Sequence, residues 1–98
     1  MMKNIFLPLR RSIILQVLEL SPGRELSNEM IQRLLKSQCH NCSISEVNEQ
    51  INWLENRGYV KANRMGEDGY IFVHITRPGL DVALGNTRAE GIEPPPEA

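Results

Sequence analysis

Residues 37–43, SQCHNCS, hold both cysteines of the chain, Cys39 and Cys42, with His40 between them. Two chemistries use such a spacing. A structural zinc needs four ligands, usually as two close pairs. Cys39, His40, Cys42 and the distant His74 sum to four, but His40 lies inside the CxxC, poorly placed to join both thiolates on one tetrahedral ion. A dithiol redox pair belongs beside a βαβ pattern, and none precedes or follows this stretch. The remaining reading is a loop with thiols: Cys42 packs on Val47 as a small hydrophobe and Cys39 fills space at the end of the preceding helix. No metal and no cofactor are expected. The sequence also lacks a glycine-rich phosphate loop, GxSxG, HExxH or a convincing carboxylate pair, so the chain is not expected to be an enzyme.

The elements around this loop are set by periodicity. Leu7, Ile13, Ile14, Val17, Leu18 and Leu20 recur at three- and four-residue spacing and predict a first helix starting at residue 7 or 8, since Pro8 is tolerated only in the first turn. Ser21-Pro22-Gly23 ends it, and Arg24-Glu25-Leu26 is long enough for one small strand. Ser27 is the expected N-cap of a second helix, with Glu29 in its first turn and Leu26 and Ile31 as a hydrophobic staple. Its buried stripe is Met30, Ile31, Leu34 and Leu35. Ser43-Ile44-Ser45-Glu46 is a capping box that opens a third helix, with Ile44, Val47, Ile51 and Leu54 on the core and Gly58 at its end.

The period then changes to two. YVKANR (59–64) and YIFVHIT (70–76) read as strands around MGEDG, an antiparallel hairpin. A short helix over GLDVAL follows, with Thr76 or Arg77 near its cap. From residue 85 the chain has no apolar periodicity and carries three consecutive prolines, so 85–98 is expected to be an extended or disordered tail beside a domain spanning 1–84.

Helix, short strand, helix, helix, hairpin, helix is the order of a winged helix, an α+β winged helix-turn-helix with three helices, a two- or three-stranded antiparallel wing sheet and a short C-terminal helix. The motifs Ile51, Leu54, Glu55, Gly58, Tyr59, Val60 and then Ile75, Thr76, Gly79 resemble the helix-to-wing and strand-to-helix junctions of MarR- and ArsR-type regulators. From FLPLRRSIILQVL to GLDVALGNTR the chain is also similar to small winged-helix proteins encoded by Mu-like prophages.

That resemblance implies a DNA-binding transcriptional regulator with helix 43–57 in the major groove. Turning 100° per residue from a core at 47, 51 and 54, the outward face carries Ser45, Glu49, Asn52, Trp53 and Asn56, flanked by Glu46 and Gln50. Ser45, Gln50, Asn52 and Asn56 suit base edges, and Glu49 can accept from cytosine. Arg33, Lys36, Lys61, Arg64 and Arg77 are the phosphate candidates. The overall charge of −1 lacks the basic excess usual in such proteins, so binding must rest on local patches. The competing reading is a protein-interaction module using Trp53, Glu46 and Glu49. Trp53 could instead lie against the hairpin or the first helix. The partners considered are therefore double-stranded DNA, a second copy through the first helix or tail, and a host or phage protein. No apolar run is long enough for a membrane span. Arg10 and Arg11 interrupt the N-terminal apolar stretch and argue against a signal peptide, so a cytoplasmic location is expected.

Overall fold

The computed structural model describes residues 5–96. Its order is α1 (Leu7–Leu20), β1 (Glu25–Ser27), α2 (Asn28–Ser37), α3 (Ile44–Asn56), β2 (Val60–Met65), β3 (Tyr70–Ile75) and α4 (Arg77–Ala83), with a 3-10 turn over Pro22–Arg24 between α1 and β1. The fold is α+β: four helices and one antiparallel sheet with strand order β1-β3-β2, an arrangement compatible with a winged helix. β3 is the central strand, placing Leu26 and Ala62 opposite Val73, and Glu25 and Lys61 opposite His74.

The strands alternate strictly, as a sheet with one buried face must. Ile71, Val73 and Ile75 are buried, whereas Tyr70, Phe72 and His74 are exposed. The inner face meets Ile14, Leu15 and Leu18 of α1, Ile31 and Leu35 of α2, and Val47, Ile51 and Leu54 of α3 in one core. Each such side chain, once removed from water, contributes about 1.5–3 kcal/mol.

Local chemistry sets the boundaries. Ser27 and Thr76 cap α2 and α4, accepting from Met30 N and Gly79 N. Ser43 and Glu46 form both halves of the capping box on α3. At the other end Gly58 takes φ +81°, Gly58 N bonds Glu55 O and Tyr59 N bonds Leu54 O, the paired bonds of a Schellman motif. Gly79 is required for a different reason: a Cβ there would come within 2.1 Å of Tyr59 O, because α4 starts pressed against the start of β2.

Three expectations need correction. On α2 the buried stripe is Asn28, Ile31 and Leu35; Met30 is 43% exposed, because the turn that buries Ile31 directs residue 30 outward. Cys39 does not fill space but is exposed, in a left-handed conformation (φ 66°) that terminates the α2 turn. The described part of the C-terminal segment forms no helix or strand, yet it is docked rather than loose. Ile92 is 6% exposed in the core, and Glu93 N donates to Pro8 O at 3.0 Å. One apolar side chain and a few backbone bonds suffice for this, which leaves no periodic trace in the sequence.

Candidate functional site

α3 is braced along both flanks, and the braces decide which of its side chains are available. On the wing side the buried Asn28 (1% exposed) gathers three elements. Its Nδ2 donates to Asn48 Oδ1 and Gly69 O, and its Oδ1 accepts from Glu29 N and Ile71 N. Every bonding position of that amide close to the core is used, as burial demands. Nearby, Arg64 on β2 donates to Glu55 and Asn52, and the 3.0 Å Arg64–Glu55 contact is the only salt bridge among the described residues. Ala62 N also donates to Glu55 Oε2, so α3 covers an open edge of the sheet.

On the other flank Arg11 of α1 donates from Nε to Gln50 Oε1 at 2.8 Å and from Nη1 to Gly91 O at 3.0 Å. Trp53 is half-buried here, with the guanidiniums of Arg11 and Arg57 each 3.8 Å from its ring centroid. Gly91 lies so close that a Cβ on it would meet the indole at 2.7 Å.

These braces sort the residues singled out in the sequence. Ser45, Glu49, Asn52 and Asn56 are exposed and form one stripe down α3. Gln50 does not join them: at 8% exposure it faces inward beside Val47 and Leu54, three and four residues away on the same side. Trp53 leaves the open face for the α1 flank. Glu46 is occupied by the capping box, where Ser43 N and then the Ser43 hydroxyl hold its carboxyl below the usual glutamate range. Asn52 remains exposed but its Oδ1 is engaged by Arg64.

The cations do not converge. Arg33 and Lys36 of α2 line a groove of about 380 Å³ with Gln32, Asn41, Cys42 and Ser43, at the start of α3. Arg64 faces α3, whereas Lys61, one residue out of phase with Ala62, lies on the opposite face of the sheet in a row with His74 and Glu25. Arg77 is exposed at the first turn of α4. Sequence reasoning missed Asn28 and Arg11. The first looks like a helix-start residue and the second like a surface cation; only their partners, 43 and 80 residues away, disclose their roles.

In the CHNC loop, Cys42 packs against the core and burial pushes its thiol up, opposed by the Arg10 charge and reinforced by Glu46. His40 Nδ1 accepts from Arg10 Nε at 3.2 Å. His74 stands on the far face of the sheet. Among the described residues no three His, Cys, Asp or Glu side chains are grouped to hold a metal, and no helix is long and apolar enough to cross a membrane.

No established family profile matches the chain, and no solved structure matches it. It is, however, 32% identical over 95 residues to "Uncharacterized protein gp26" of Escherichia phage Mu, an alignment covering 97% of this chain and 96% of that protein. Identity of that extent spans the core, both braces of α3 and the docked C-terminal segment together: the chain belongs to the family of the phage Mu protein gp26.

Proposed function

We propose that this protein is a winged-helix protein, similar in architecture to MarR- and ArsR-type regulators, that binds double-stranded DNA through α3 and serves a phage or prophage as a transcriptional regulator. The observation that carries the reading is the stripe Ser45, Glu49, Asn52, Asn56, the one side of α3 that neither brace covers. Amide and hydroxyl side chains are suited to base edges in the major groove. The acidic character of the helix weighs less than its sequence suggests. Glu46 caps the helix and Glu55 is paired with Arg64, which leaves Glu49 as the one carboxylate on the stripe. Arg33 and Lys36, beside the start of α3, are the phosphate contacts most consistent with this placement.

The test compares three variants in duplex binding followed by fluorescence anisotropy. Asn52→Ala is expected to weaken a selected sequence by about tenfold and relax base preference, in line with the roughly 1–3 kcal/mol of a specific base contact. Lys36→Ala weakens all sequences and flattens the salt dependence. Lys61→Ala, on the far face of the sheet, leaves both unchanged. Equal indifference of Asn52→Ala and Lys36→Ala would remove α3 from the interface.

One observation favours a second reading, a protein-interaction module. Met65 (52% exposed), Tyr70 (41%) and Phe72 (37%) stand together on the outer face of the sheet. Aromatic and methionine side chains anchor protein interfaces. In that case a Phe72→Ser change, and not Asn52→Ala, abolishes partner binding.

A further inference from the structure

Trp53, the chain's single tryptophan, separates two positive charges. Arg11 from α1 and Arg57 at the C-cap of α3 each hold Cζ 3.8 Å from its ring centroid. Two guanidiniums cannot share one face of an indole at that distance, so they take opposite faces, and their Cζ atoms are held apart by twice it. Neither is neutralised: among the described residues the salt bridge is that of Arg64 with Glu55, on the other flank of α3. Together with Trp53, Tyr59, Glu90 and Gly91 they line a groove of about 480 Å³.

The two arginines are prepared differently. Arg11 is fixed in place by Gln50 Oε1 and Gly91 O, which use Nε and one donor of Nη1; Nη2 has no hydrogen bond among the described contacts. The Arg57 guanidinium has none either and is exposed. Donors thus remain on both sides of the indole. A phosphate accepting charge-assisted bonds of roughly 2.8 Å from each guanidinium spans such a gap, and the planar guanidinium fork matches phosphate oxygens in a way that lysine does not.

We propose that the Arg11–Trp53–Arg57 groove is an anion site that takes a phosphate group between the two guanidiniums, with the indole as the spacer that sets their separation. Electrostatics agree: burial and then the neighbouring Arg57 charge push the Arg11 pKa down, and a bound anion offsets both effects. Glu90, on the docked C-terminal segment, lines the same groove and is the built-in competitor for it. The phosphate is either a free anion or part of a nucleic-acid backbone. Arg57 directly follows Asn56, the last residue of the exposed stripe, which gives the second source a route to the site. The site itself does not depend on the DNA reading.

The experiment follows Trp53 emission on titration with inorganic phosphate at ionic strength held constant with chloride, and separately with a short mixed-sequence duplex. A saturable change is expected in at least one arm. Arg57→Met, which leaves the buried contacts of Arg11 in place, weakens that binding about tenfold, the scale of losing one charge-assisted contact. Arg57→Lys recovers part of it, and Glu90→Gln tightens it. Saturation by phosphate assigns a free anion; saturation by duplex alone, lost in Arg57→Met, assigns a backbone phosphate. No saturable change in either arm, or an affinity unaltered by Arg57→Met, overturns the proposal. The DNA reading fails separately, when duplex moves no amide of the Ser45–Asn56 stripe while phosphate still saturates Trp53.

Discussion

The two flanks of α3 are fastened by opposite means. The wing flank relies on one fully engaged buried amide, Asn28, backed by the solvent-exposed Arg64–Glu55 pair. The α1 flank relies on a partly buried cation, Arg11, stacked on an indole and closed over by Gly91 and Ile92. The first brace is specific and local, and its outer half weakens with salt. The second is made of area and dispersion and depends on a segment that joins the fold last. Between them α3 is immobilised with one face open, which is what a reading helix or a docking helix needs.

The contrast can be broken from either side. Asn28→Ala should have the largest effect, about 3 kcal/mol lost in urea unfolding, because it strands Ile71 N and Gly69 O where water does not reach them. Ile92→Ala attacks the other brace. It should cost about 2 kcal/mol, the low end for a buried isoleucine, and shift Trp53 emission to the red as the segment lifts from the indole. Asn28→Ala should leave that emission unchanged, which separates the two flanks with one probe.

What the sequence made legible was local. The capping box at Ser43–Glu46, the Gly58 helix end, the Thr76 cap and the change of period at residue 59 all follow from neighbours a few positions apart. What it did not disclose depends on distant partners or on angle overriding residue type. Gln50 looked like a base reader because it is an amide, but its place beside Val47 and Leu54 turns it inward toward Arg11. Met30 looked buried because it is apolar, whereas the buried position on that turn belongs to Asn28. Ile92 has no apolar neighbour in sequence to mark it. In each case long-range packing outweighed the local pattern.

Smaller effects sharpen the picture. Arg64→Ala removes an exposed ion pair and should cost about 0.5 kcal/mol, fading as salt is added. It also frees Asn52 Oδ1, so any duplex contact made by Asn52 should change in base preference more than in strength. The smallest effect is at acid pH. The folded state depresses the Glu46 pKa through Ser43, so its contribution is complete above the ordinary glutamate value of 4.5 and is lost as pH falls through the lower, folded value. Urea midpoints of Glu46→Gln should therefore lie below those of the parent near neutrality and converge with them in acid.

The most direct test of the central claim is a titration of isotope-labelled protein with a mixed-sequence duplex at low salt, followed by backbone and side-chain amide shifts. The account predicts shifts concentrated at Ser45, Glu49, Asn52 and Asn56, with Arg33 and Lys36, fading together as salt is raised. A spectrum that stays unmoved at low salt, or that moves only at Met65, Tyr70 and Phe72 on the outer face of the sheet, would contradict it.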